Sequence, residues 1–163
     1  MTKMKGILFV AAFAAYSSLA NAGAYVGAGA SVINYDVSGV DDTNVGVVNV
    51  VLGSNITENV AVELRAGNTF DVGIDKYLGV YTKLGAQLNN GFYPYAIIGY
   101  TRAEVEISFG GYDFSDSDGD LSYGLGMRIG AAADTNFSIE YIRYFEKGDG
   151  ELSGLALSIT TPF

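Results

Sequence analysis

From Ala24 onward the chain alternates apolar and polar residues with a period of two, and no long window shows the 3.6-residue period of an amphipathic helix. Breaks in that alternation fall at clusters of Gly, Asn, Asp and Ser, the residues that punctuate strands. Eight strands are predicted: Ala24 to Asn34, Val45 to Gly53, Asn59 to Gly67, Lys76 to Leu88, Phe92 to Phe109, Asp120 to Ala131, Phe137 to Glu146 and Glu151 to Phe163. The connections between them are expected to run long, short, long, short, long, short, with an intermediate last one. Asn89-Asn90-Gly91 is a strong hairpin signal. The segment Gly110 to Gly119 reads as an acidic outer loop. An even number of antiparallel strands with short turns at one end and longer loops at the other is the layout of a membrane β-barrel.

The two faces of the strands differ in character. Val60, Val62, Leu64 and Ala66 share one face of the third strand, and Ala61, Glu63 and Arg65 the other. The fourth strand sets Leu78, Val80, Thr82 and Leu84 against Gly79, Tyr81, Lys83 and Gly85. The sixth sets Leu121, Tyr123, Leu125, Met127 and Ile129 against Ser122, Gly124, Gly126, Arg128 and Gly130, and the eighth sets Leu155, Leu157, Ile159, Thr161 and Phe163 against Gly154, Ala156, Ser158 and Thr160. The polar face is rich in Gly and Ala, which suits a crowded interior better than a solvated surface. An eight-stranded barrel leaves an interior just wide enough for side chains to fill. The large apolar face is therefore assigned to lipid and the small, charged face to the lumen. In the fifth strand, Ala96, Ile98, Tyr100, Arg102 and Glu104 are assigned to the lumen on the strength of the two charges, opposite Tyr93, Tyr95, Ile97, Gly99 and Thr101.

This assignment gathers Glu63, Glu104, Glu106 and Glu140 with Arg65, Lys83, Arg102 and Arg128 in a charge-balanced lumen network. Balance is required there, because an unpaired charge in a low-dielectric interior is costly. Counted outward from Asp134, Arg128 is expected to face Glu140, and Glu63 and Lys83 form the next pair. Glu140 and Arg143 lie three apart. Either a bulge turns both inward or Arg143 sits at the outer rim. Tyr25, Phe92, Tyr93, Tyr95, Phe137 and Phe163 near the short turns, and Tyr35, Phe70, Tyr77, Phe109, Tyr112, Phe114, Tyr123, Tyr144 and Phe145 near the long loops, read as two interfacial girdles.

Residues 1–22 carry the three parts of an export signal: Lys3 and Lys5, an apolar stretch from Ile7 to Tyr16, and Ala20-Asn21-Ala22 as a cleavage site. The division is thus a signal peptide over 1–22 and a barrel domain over 23–163. No apolar run reaches the roughly 18 residues of a membrane helix. A net charge of −9 argues against nucleic acid as a partner. With neither His nor Cys in the sequence, a Ser-His-acid triad, the commonest general base and thiolate metal sites are all excluded. Glu104 and Glu106 could do acid/base work as a pair, but neighbouring arginines favour a structural ion network. Asp113 to Asp120 lacks the spacing of a calcium loop and reads as a solvated acidic segment, with a weak divalent-ion contact bridging to anionic lipopolysaccharide as the alternative. No catalytic activity, cofactor or metal is expected.

The signal, the first strand Ala24-Tyr25-Val26-Gly27-Ala28-Gly29-Ala30, the segment Asn59 to Gly67 and the terminal Phe163 resemble the small outer-membrane β-barrel proteins of the OmpA/OmpX-like porin family. The resemblance covers essentially all of residues 23–163. It implies an all-β, eight-stranded, up-and-down transmembrane barrel in the outer membrane of a Gram-negative bacterium. It also implies a last strand, with Leu155, Leu157, Ile159 and Phe163, that the barrel-assembly machinery reads; Thr161 and Pro162 depart from that pattern. The expected partners are outer-membrane lipid, lipopolysaccharide, that machinery, and an external ligand the sequence does not name. The chain is expected to be a monomer. A structural or surface-interaction role with a filled lumen is the first reading; a narrow passive pore, an adhesin working through acidic outer loops, and a soluble lipocalin-like barrel are the alternatives.

Overall fold

The computed structural model describes residues 23–37, 43–69, 76–88, 91–109, 112–130, 134–147 and 150–163, with the side chains of 35–37, 43, 103–118 and 145–150 left outside that description. The export signal proposed for 1–22 lies outside the described residues. Eight antiparallel strands close into one barrel: β1 (Ala24–Val37), β2 (Thr43–Asn55), β3 (Val60–Thr69), β4 (Lys76–Gly85), β5 (Phe92–Phe109), β6 (Tyr112–Gly130), β7 (Asn136–Lys147) and β8 (Gly150–Pro162). Each strand pairs with the next, and β1 pairs with β8, so that no edge is left within the barrel. The termini reinforce that seam: the Phe163 amide donates to the Ala24 carbonyl at 3.1 Å and the Asn55 amide to the Gly23 carbonyl at 3.2 Å.

The turns at one end use local chemistry. Asn59 donates its amide to the Thr57 hydroxyl at 3.2 Å, while Ile56 and Thr57 both donate to the Val60 carbonyl. Gly91 takes a φ of +82°, the left-handed conformation glycine adopts without a Cβ clash. Asp134 does the same at +59°, which Asp tolerates better than most residues.

At the other end the structure departs from the expected loops. The acidic segment read as a loop over 110–119 belongs largely to β6, which begins at Tyr112 and pairs with β5 from Phe109↔Tyr112 down to Arg102↔Gly119. Asp, Ser and Gly are weak strand formers and common turn residues. Here Val105, Ile107 and Phe109 supply the strand partner. The asymmetry between the two ends is therefore one of strand length more than loop length. β5 and β6 have 18 and 19 residues, about eight more than the 9–11 that cross a bilayer, so this hairpin projects well past the membrane.

Exposure alternates as the sequence pattern requires. Leu125 is 70% exposed and Leu157 56%, whereas Glu63, Glu140 and Arg65 are 1%, 2% and 4% exposed. The apolar face meets lipid and the charges fill the lumen. β5 is the exception to the assignment made from sequence. Tyr93, Tyr95, Ile97 and Thr101 are buried in the lumen, while Ile98, Tyr100 and Arg102 face outward. Size and charge misled here: a tyrosine is large but brings a hydroxyl that a polar lumen can use. The girdles shrink for the same reason. Tyr25, Tyr77, Tyr93, Tyr95 and Tyr144 are lumen residues. Phe137 and Phe163 at the short-turn end, and Tyr123 with Tyr100 and Tyr141 toward the other, face outward.

Candidate functional site: the lumen ion plug

Four charged side chains meet inside the barrel. Glu63 and Arg65 lie two apart on β3 and so share its inner face. Lys83 on β4 stands opposite Ala61. Glu140 comes from β7, four strands from β3 and thus across the lumen from it. Arg65 spans the gap: Nη1 donates to Glu140 Oε2 at 2.6 Å and Nη2 to Oε1 at 2.9 Å, while Nε donates to Glu63 Oε2 at 2.9 Å and Nη2 also reaches that oxygen. Lys83 Nζ lies 2.6 Å from Glu63 Oε1 and 2.8 Å from Glu140 Oε1. Two hydroxyls complete the set, Tyr25 donating to Glu63 Oε1 at 2.7 Å and Tyr95 to Glu140 Oε1 at 2.6 Å. Every carboxylate oxygen therefore has at least one donor, and the two negative charges are matched by two positive ones. A buried ionic cluster is tolerable only when its charges and remaining polar valences are satisfied together, as they are here.

Aromatic rings pack this cluster from both sides. The Arg65 guanidinium lies 4.8 Å from the Tyr81 ring centre and Lys83 Nζ 4.6 Å from that of Tyr95. Toward the projecting hairpin a chain of hydroxyls continues: Tyr81 to Thr101 at 2.6 Å, Thr101 to Ser122 at 2.6 Å, and Ser122 to the Tyr144 carbonyl at 3.1 Å. Asn49 donates to the Tyr77 hydroxyl at 2.6 Å, and Ile33, Val47, Ile97, Ile142 and Leu152 fill the remaining space. Toward the short turns a cavity of about 10 Å³ remains, bounded by Glu63, Lys83, Tyr95, Arg128 and their neighbours. That is room for about one water molecule.

Of the eight residues read from sequence as the network, Glu63, Arg65, Lys83 and Glu140 meet in the plug, with Glu63 and Lys83 paired. Arg128 faces the lumen but not Glu140. The β6–β7 register pairs Arg128 with Ser138 and Glu140 with Gly126. The hairpin is centred one residue before Asp134, which moves each partner by two. Arg102 is exposed on the outer face. The side chains of Glu104, Glu106 and Asp113 to Asp118 lie outside the described residues. Arg143 sits at the outward rim, with Nε 2.9 Å from Glu151 and Nη1 donating to the Tyr123 hydroxyl at 2.9 Å. The register irregularity of β7 falls just after it, between Arg143 and Phe145. Leu155, Leu157, Ile159 and Phe163 all face outward on or just after β8.

The sequence reading placed Tyr81 on the lumen face but missed Tyr25, Tyr77 and Tyr95, although a signal for them exists. Tyr25 pairs with Gly53, Tyr77 with Gly67, Tyr81 with Gly99 and Tyr95 with Gly126. A β-carbon at Gly53, Gly67 or Gly126 would overlap the ring of Tyr25, Tyr77 or Tyr95. A glycine facing a tyrosine across the ladder marks a ring laid flat over the neighbouring strand.

The sequence matches the profile of the outer membrane protein beta-barrel domain over residues 6–160. The chain belongs to that family. Among solved structures it is similar to Ail, the attachment invasion locus protein of Yersinia pestis (18% identity, 86% of this chain, 99% of Ail, TM-score 0.67). It is also similar to the neisserial surface protein A (14% identity, 86% of this chain and 97% of that one, TM-score 0.71) and to the N-terminal β-barrel domain of Pseudomonas aeruginosa OprF (13%, 82% and 96%, TM-score 0.59). At these identities the likeness concerns the fold. No curated protein sequence matches at a significant level. As an outer membrane barrel of this family, the chain turns its alternating faces to two environments: acyl chains outside and the ion plug inside.

Proposed function

We propose that this protein is a structural and surface-interaction barrel of the outer membrane, sealed by its ion plug and without catalytic activity. The observation that carries this reading is the satisfied Glu63–Arg65–Lys83–Glu140 cluster bracing β3, β4 and β7 across the lumen. A conduit needs polar groups with valences to spare for passing ions. Here both carboxylates are held by two cations and a tyrosine hydroxyl, above a residual cavity of about 10 Å³. Purified barrel in a planar bilayer is expected to show no steady single-channel conductance. A persistent open level would overturn the sealed reading in favour of a narrow passive pore.

The route to that location is part of the same proposal. Residues 1–22 direct export into the periplasm of a Gram-negative cell and are removed, and the outward row Leu155, Leu157, Ile159 and Phe163 is presented to the barrel-assembly machinery. In the membrane the barrel contacts lipid and lipopolysaccharide as a monomer. An adhesive role has one observation in its favour, the long β5–β6 hairpin. An Ail structure contains the heparin analogue sucrose octasulfate. Residues 103–127 of this chain instead hold six acidic residues and no Lys or Arg, which repels a polyanion and suits a cationic partner. Binding of cells or basic peptides by the intact protein, compared with a variant shortened between Val105 and Gly119, tests that role.

A further inference from the structure

Arg128 is a cation that the plug does not account for. The carboxylates of Glu63 and Glu140 are neutralised by Arg65 and Lys83. Among the described residues no carboxylate pairs with Arg128, whose recorded contact is the face of Tyr93, 4.3 Å from its guanidinium carbon. That face supplies quadrupole attraction but no acceptor in the guanidinium plane. Arg128 lines, with Lys83, Ser138, Thr160 and Tyr25, the cavity of about 10 Å³. Counting Glu63 as the single negative group at this cavity against Lys83 and Arg128, the local charge is one positive unit in excess.

Arg128 is half-buried, so water screens its charge only in part, and an excess cation beside a lumen whose other charges are already balanced draws a counterion. The geometry points to a binding site for a small monovalent anion of chloride's size at Arg128, between the ion plug and the short-turn mouth. Size sets the class. Room for about one water molecule admits a halide and excludes gluconate or a phosphate ester. Donor chemistry agrees, because a guanidinium edge and nearby Ser and Thr hydroxyls suit a halide. The site makes the anion a structural part of the lumen, and it does not depend on what the outer surface binds.

The test compares the refolded protein in detergent micelles in sodium chloride and in sodium gluconate at equal ionic strength. Chloride is expected to raise the thermal unfolding midpoint of the wild type above its value in gluconate. Arg128→Gln is expected to lose that difference. Should the variant fail to fold, crystals of the wild type soaked in bromide give an independent reading, with an anomalous peak expected beside the Arg128 guanidinium. Equal wild-type midpoints in the two salts, an undiminished chloride effect in a folded Arg128→Gln barrel, or an ordered Arg128 with no bromide peak would each overturn the proposal.

Discussion

Glu140→Gln tests the plug with a change of one atom. Glu140 accepts from Arg65 at 2.6 and 2.9 Å, from Lys83 at 2.8 Å and from Tyr95 at 2.6 Å. The amide keeps one acceptor oxygen and places two N–H donors where a cation now sits. Glu63 is left alone to balance both Arg65 and Lys83, inside a site where Glu140 is 2% exposed. Breaking a buried ion pair by removing one partner costs about 3–5 kcal/mol, because the other charge stays behind uncompensated. A shared network moderates the loss, since Glu63 still holds both cations, so about 3 kcal/mol is expected. Urea unfolding of the barrel in lipid vesicles, followed by the mobility shift between folded and unfolded forms on a gel, measures it. Glu63→Gln should cost a similar amount, and the double variant less than the two together, because the sites share partners. A loss below about 1 kcal/mol for Glu140→Gln would refute the view that this cluster braces the barrel.

Leu157→Arg puts a charge on the lipid face of β8 and should cost roughly 2–4 kcal/mol near the bilayer midplane; the same unfolding assay checks it, and a neutral outcome would contradict the outward assignment. Gly53→Ala, with its new methyl overlapping the Tyr25 ring, should cost about 1–3 kcal/mol, whereas Gly91→Ala, open in space but at a positive φ, should cost about 1 kcal/mol through backbone strain. Arg143→Ala removes a rim pair that is about one-third exposed on both partners and should change stability by no more than about 1 kcal/mol.

The strand count, the order of the hairpins and the lipid-facing rows of β3, β4, β6 and β8 were legible because a period of two over ten or more residues has one reading. Glu63 and Arg65 were placed together by spacing alone. β5 was not legible. Its inner row of Tyr93, Tyr95, Ile97 and Thr101 is as bulky as its outer row, and the charges at Arg102 and Glu104 pulled the assignment the wrong way. Arg102 lies toward the projecting end of the hairpin, where an outward charge meets headgroups or water rather than acyl chains. Depth along the strand, not face alone, decides where a charge is tolerated. The partner of Arg128 was missed by two residues because the turn residue Asp134 is not the centre of its hairpin. Tertiary pairing also overrode local propensity in 112–119, where strand pairing wins over turn chemistry.

Stability alone does not explain why the lumen is filled with ions. Replacing a buried ionic cluster by apolar residues of similar volume is often neutral or stabilising. What the charges add is register. A slip of one residue in β3 would send Glu63 and Arg65 to the lipid face and bring Val62 and Leu64 into the lumen, at about 2–4 kcal/mol for the arginine alone near midplane. An apolar lumen removes most of that penalty, since Met or Leu is at home on either face. Converting Glu63, Arg65, Lys83 and Glu140 together to Met and Leu should therefore leave the unfolding free energy within about 2 kcal/mol of the wild type. The same barrel should refold to more than one β3–β4 pairing, seen as doubled amide resonances for residues 60–69 and 76–85 in nanodiscs. A single set of resonances from the apolar variant, with the wild-type pairing of Val60 to Leu84, would show that the lipid-facing rows specify register without the plug.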